Sequence, residues 1–265
     1  MNTVRYLEEA RFIARKAGEM LKRNIDTSAE IHFKGVVDLV TDFDNQAQRM
    51  IFDHLSACFP DHDFLGEEGL KQEQGQELRW IIDPLDGTTN YAHGFPIFCV
   101  SIALQRASEV VLGVVYDPMR DEMFSAVVGE GARLDGRAIR VSAVDDLNIS
   151  LVATGFPYDI RESAVNNIDH FNHFLVRVQA IRRCGSAALD LCYVACGRFD
   201  GFWELKLHPW DVAAGALMVR EAGGRITDFQ KQEFSVLGSE ILATNGLIHD
   251  QMVEVLSLGR KSPSG

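Results

Sequence analysis

Long apolar runs are missing from this chain. No stretch approaches the ~20 residues that a membrane-spanning helix requires, and the opening MNTVRYLEEARF contains no apolar segment of signal-peptide type. Basic residues are scarce. Lys and Arg number 26 against 38 Asp and Glu, a net charge of −12, which argues against an anionic membrane surface or direct nucleic-acid binding. The five cysteines are an odd number and form no CxxC. They read as reduced, buried thiols of a cytoplasmic protein rather than a disulfide framework. The eight histidines form no HExxH or HxH, so the sequence predicts no zinc site. No GxxxxGK[ST] loop is present, which removes P-loop nucleotide hydrolysis.

What the chain does contain is centred on Trp80 to Phe95, WIIDPLDGTTNYAHGF. Trp80-Ile81-Ile82 reads as a buried strand, which Asp83-Pro84 is expected to end. Gly87 permits a tight turn, and Thr88 or Thr89 suits a helix start. Asp83 and Asp86 then flank a turn leading into a helix N-terminus. Two close carboxylates repel unless a cation neutralises them, and a hard cation such as Mg²⁺ takes oxygen ligands together with substrate phosphate. Taken alone, the string fits a solvated Asx-type turn as well as it fits a cation and phosphate site.

Other acids are equally open when read singly. Asp38, Asp42 and Asp44 surround a helix start, where Asp42 suits a cap. Glu67 and Glu68 end an apolar strand and fit an exposed acidic pair. Asp211 lies in a first helical turn, where the dipole favours an acid. Glu204 is the odd one, an acid inside an apolar strand.

Helical spacing predicts helices over 4–23 and 45–58, and helical patterns also cover 163–179, 186–196, 210–222 and 247–258. A meander of strands is expected over 97–106, 110–117 and 123–128, with a hairpin over 131–140. Further strands are expected at 151–156, 199–205, 226–229 and 241–244. Residues 71–78 read as a mobile polar loop, and 259–265 as a frayed tail. At 265 residues with 46 % hydrophobic content, the chain divides into an α+β half, 1–147, and an α/β half, 148–265. The fold class is mixed α/β.

DPLDGTTNY, together with Gly66-Glu67-Glu68, VDLVTDFD, RRCGSAA and HPWDVAAG, resembles the inositol monophosphatase family, closest to its bacterial SuhB-type branch. The resemblance runs over nearly the whole chain in family order. It implies a layered α-β-α-β-α sandwich, shared with fructose-1,6-bisphosphatase, and a Mg²⁺-dependent, Li⁺-sensitive phosphatase. It assigns Glu67, Asp83, the Leu85 carbonyl, Asp86 and Asp211 to two or three Mg²⁺ ions. Asp44 and Thr88, with Glu67, fall to the attacking water. Gly87 and Thr88 fall to the phosphate. Arg182, Ala187 and Glu204, with Asp86 and Asp211, fall to the substrate. The implied reaction is hydrolysis of an inositol phosphate, with a fructose bisphosphate, another sugar or a nucleotide phosphate as alternatives. A homodimer is implied, and so is a role of another class, protein binding within ribosomal RNA transcription complexes.

Overall fold

The computed structural model describes residues 2–26, 31–33 and 39–258. Asp38 and the tail from 259 lie outside the described residues. Helices α1 (Thr3–Asn24) and α2 (Asp42–Cys58) flank a short antiparallel pair, β1 (Ile31–Phe33) and β2 (Leu39–Thr41). An eight-stranded sheet follows: β3 (Asp63–Gly66), β4 (Lys71–Gln72), β5 (Leu78–Asp86), β6 (Cys99–Arg106), β7 (Glu109–Asp117), β8 (Glu122–Val127), β9 (Gly131–Leu134) and β10 (Arg137–Ala138). Its order is β10-β9-β8-β7-β6-β5-β3-β4. The short helix α3 (Thr88–Ala92) leaves β5. The rest of the chain comprises β11 (Leu151–Thr154), α4 (Ile168–Leu175), β12 (Ala180–Arg182), α5 (Ala187–Ala195), β13 (Gly201–Leu205), α6 (Pro209–Glu221), β14 (Arg225–Thr227), β15 (Glu240–Thr244) and α7 (His249–Ser257). These strands form a second sheet, β12-β11-β13-β15-β14.

Side-chain alternation along the strands explains the layering. On β5, Trp80 and Ile82 join α1 and α2 in one core, while Ile81 joins α5 and α6 in another. On β13, Phe202 faces that same inner core, while Trp203 and Leu205 pack with Phe174 of α4 and Met252 of α7. The order is therefore helix pair, sheet, helix pair, sheet, helix pair, the expected α-β-α-β-α sandwich. Both sheets press on α5 and α6, and the approach is close: a Cβ on Gly113 of β7 would stand 3.0 Å from the Ala214 backbone of α6.

Three local expectations need correction. β5 does not stop at Asp83; it runs to Asp86, with a register shift between Asp83 and Asp86 that accommodates Pro84. Residues 71–72, expected to be loop, pair with β3 as an edge strand. The helix expected over 163–179 is only Ile168–Leu175. Before it, Ser163 and Asn166 side chains accept from the backbone of Val165 and Ile168, local bonds that compete with helix. After it, the Gln179 N–H donates to Ser150 O, and β12 pairs with β11 in parallel.

Candidate active site

β3 and β5 run parallel, with Gly66 opposite Ile82, so the residues that follow this last pair emerge side by side. They are Glu67, just past β3, and Asp83, still within β5, and the Glu67 N–H donates to Ile82 O at 3.3 Å. Gln48 of α2 holds this corner. Its amide donates to Glu68 O at 3.0 Å and accepts from Glu68 N–H at 3.1 Å. Glu68 is thus tied to α2 through its backbone.

Asp83 shares the Ile81 face of β5 and points toward α6. It is 1 % exposed and accepts from the Leu85 N–H at 3.0 Å. Burial pushes its carboxyl well above the ordinary range, and the charges of Glu67, Asp86 and Asp211 push it further. Those four acids come from three separate pieces of the fold. Asp86 is fixed at the N-terminus of α5, accepting from Ser186 Oγ and from the Ala188 N–H, both at 2.7 Å. Burial raises its carboxyl too, and those bonds partly offset the shift. Asp211 sits in the first turn of α6 and accepts from the His208 N–H at 2.7 Å in a reciprocal cap.

Gly87 precedes α3 with φ 99°, a left-handed conformation that a side chain disfavours. Thr88 donates its one hydroxyl proton toward Asp44 Oδ1 or Leu85 O, both at 3.0 Å. Asp44 is fully buried in the first turn of α2. Asp42 opens the same helix and is exposed. The Asn90 amide of α3 donates to Ile97 O and Cys184 O at 2.8 Å, tying α3 to the turn before α5.

A cavity of about 240 Å³ has a wall that includes Glu67, Asp83, Asp86, Thr88, Glu204 and Asp211, while Asp44 is off the wall and bonded to it through Thr88. Leu85, Gly87 and Ala187 also reach it. Glu204 comes to this wall from β13. Burial raises its carboxyl well above normal, and Asp190 and Asp211 add to the shift. A Cβ on Gly155 would stand 2.1 Å from Glu204 Oε1, so the carboxylate occupies the space that a side chain there would fill.

Of the two arginines, Arg183 borders the cavity and Arg182 does not. Arg182 ends β12, exposed, with its guanidinium on Ile181 O. Arg182, which the resemblance assigns to the substrate, therefore lies off the cavity, and its neighbour Arg183 takes the place on the wall. A strand residue and its successor point to opposite sides, and the motif RRCGSAA alone does not say which side faces inward. Sequence reasoning also passed over Asp190. This acid of α5 is 2 % exposed and borders the cavity, and its Oδ1 makes no hydrogen bond. The signal was present: ALDLCYVA places one acid in an apolar helix, as WEL places Glu204 in an apolar strand.

The sequence profile described as the inositol monophosphatase family matches residues 4–258. The chain belongs to the inositol monophosphatase family. It is 45 % identical over 251 residues to inositol monophosphatase 2 of Solanum lycopersicum, covering 92 % of this chain and 95 % of that one. It is 44 % identical over 235 residues to Nus factor SuhB of Escherichia coli strain K12, covering 88 % of each. Among solved structures, extragenic suppressor protein suhB from Bartonella henselae superposes with a TM-score of 0.92 at 40 % identity, covering 96 % of this chain and 99 % of that one. The inositol monophosphatase of Anabaena gives 0.88 at 42 %, covering 97 % and 96 %. This member of the inositol monophosphatase family is a phosphatase with the mixed α/β fold of those structures.

Proposed function

We propose that the phosphatase reaction is hydrolysis of an inositol phosphate, with divalent cations held by the acidic cluster. The observation that carries this is the convergence of Glu67, Asp83, Asp86 and Asp211 on one cavity, where the other three acids raise the Asp83 carboxyl. Buried carboxylates under mutual repulsion call for a cation. The donor set is all oxygen, including the Leu85 carbonyl, as a hard ion such as Mg²⁺ requires.

Glu67, Asp83 and Leu85 O would hold one ion, and Asp83, Asp86 and Asp211 a second. Bound there, Mg²⁺ would supply a lowered water pKa and charge stabilisation for the leaving oxygen. The chain's own residues do the positioning. With its proton given to Asp44, Thr88 Oγ would accept a hydrogen bond from the attacking water, and Glu67, on the wall of the same cavity, would take part in proton transfer. The backbone at Gly87 and Thr88 receives the phosphate. Glu204 and Asp211 accept hydrogen bonds from hydroxyls of the alcohol, and Arg183 and Ala187 close that end. Acceptors for several hydroxyls suit a polyol, and GTTNY favours inositol phosphate over a nucleotide. Homodimer assembly and Li⁺ inhibition belong to the same reading.

The test is a phosphate-release panel of inositol, fructose, histidinol and nucleotide phosphates, with and without Mg²⁺ and Li⁺. Asp83→Asn should remove nearly all Mg²⁺-dependent turnover while the melting temperature holds or rises, because a repelling charge is gone. Full turnover of that variant in EDTA would end the proposal. A second reading rests on the relative called Nus factor SuhB: binding to transcription-complex proteins without catalysis. Pull-down of transcription factors by Asp83→Asn separates the two. Capture undiminished by loss of turnover supports the binding role, and no capture by either protein removes it.

A further inference from the structure

α1 and α2 pack against each other through Ala10, Ile13, Ile51 and Leu55 in the outer core. At the rim of that contact three different donors converge. His54 Nε2 lies 2.8 Å from Glu9 Oε2 and 3.9 Å from Cys58 Sγ. All three ligand atoms lie within 4.8 Å of one another. His54 and Cys58 are one helical turn apart on α2, so they share a face, and Glu9 reaches them from α1. The His54 ring is held on its other side by Phe12 of α1, centroids 5.2 Å apart. His54 and Glu9 side chains are 25 % and 29 % exposed, open enough for an ion to enter and for water to complete its coordination.

The geometry points to a second metal site, Glu9–His54–Cys58, that takes a borderline-soft divalent cation of the zinc class and clamps α1 to α2. Thiolate, imidazole and carboxylate are the zinc donor set, and three protein ligands leave a fourth position for water. Zn–N and Zn–S bonds of about 2.0 and 2.3 Å place N and S about 3.5 Å apart at a tetrahedral angle, so an entering ion draws Cys58 Sγ in from 3.9 Å and moves Glu9 Oε2 out from 2.8 Å, both small side-chain adjustments. Magnesium does not compete, since it prefers oxygen throughout. The acidic cavity and this cluster thus differ in the class of ion they hold. An ion that binds through Cys58 Sγ releases the thiol proton to solvent. The histidine motifs expected of zinc are absent from the sequence because one ligand comes from a different helix.

The test uses the whole chain with Mg²⁺ in excess and Co²⁺ as the spectroscopic probe. One equivalent of Co²⁺ should produce thiolate-to-metal charge-transfer absorption, and Zn²⁺ should bleach it. Cys58→Ser should abolish the band. His54→Gln and Glu9→Gln should each weaken Co²⁺ binding by about 10-fold or more. Should Cys58→Ser fail to fold, the other two variants carry the test. Absence of the band, its survival in Cys58→Ser, or unchanged affinity in both other variants would overturn the site and leave a hydrogen bond between two helices. Failure here leaves the acidic cavity untouched, because the band reports only a sulfur ligand.

Discussion

Gly155 is the residue on which the placing of Glu204 in the cavity wall turns. Its missing side chain is the space in which the Glu204 carboxylate sits. Gly155→Ala should displace that carboxylate and lower kcat/KM by up to about 10²-fold, mostly through KM. Unchanged kinetics in a phosphate-release assay would show that Glu204 does not read the substrate. A second residue reports on stability. His249 is fully buried. The Thr227 hydroxyl donates to Asp228 O, so the ring donates from Nε2 to Thr227 Oγ1 at 3.0 Å and accepts at Nδ1 from Thr244 at 2.9 Å. Burial, with Arg225 and Lys231 adding to it and Asp250 opposing, lowers its pKa from 6.5 to about 4. The unfolded chain then binds the extra proton between those values, so stability is full above pH 6.5 and falls as the pH drops toward 4. The loss is up to about 3 kcal/mol. Urea titrations across that window should show the slope, and His249→Gln should flatten it.

At the scale of elements, the ends of strands and the starts of helices carry the chemistry, and this level was largely legible. DPLDGTTNY marked the turn from β5 to α3, and Glu204 stood out because acids are seldom buried in strands. Other features depended on partners far away in the chain. Pro84 reads as a strand terminus, yet the neighbouring strand accommodates it in a bulge. Ser163 to Asn167 carries helical spacing, yet its side chains bond locally, and the Asn167 amide serves Thr154 and Gly155 O instead. The choice between Arg182 and Arg183 needed the direction of β12. Asn90 is where two such elements are joined. Asn90→Ala leaves the carbonyls of Ile97 and Cys184 without their donor and should cost about 1–3 kcal/mol. It should also raise KM, because the turn bearing Arg183 loosens. A melting temperature equal to that of the parent would contradict this.

Over the whole molecule, Asp83 and Asp211 lie on different layers, so their separation is the spacing between the first sheet and α6. Gly113 against Ala214 sets that spacing. Gly113→Val should drive the layers apart. Overpacking of this kind costs about 1–3 kcal/mol, and the Mg²⁺ concentration for half-maximal activity should rise. A destabilised variant with unchanged Mg²⁺ dependence would show that the layers do not set the ion distance. None of this was visible from residue order, because Gly113 sits in an ordinary strand of the meander, paired with Ala103 and Ala126, and the helix it packs against comes far later in the chain.

One more property follows from β3 and β5 running in the same direction. Having set down Glu67, the chain must travel back along the full height of the sheet before it can set down Asp83. A hairpin would have fixed that return within a few residues, but this one passes along the rim through the edge strand β4. The two acids stay level with each other whatever route the return takes, which makes that stretch the natural place for length to vary while the chemistry stays put.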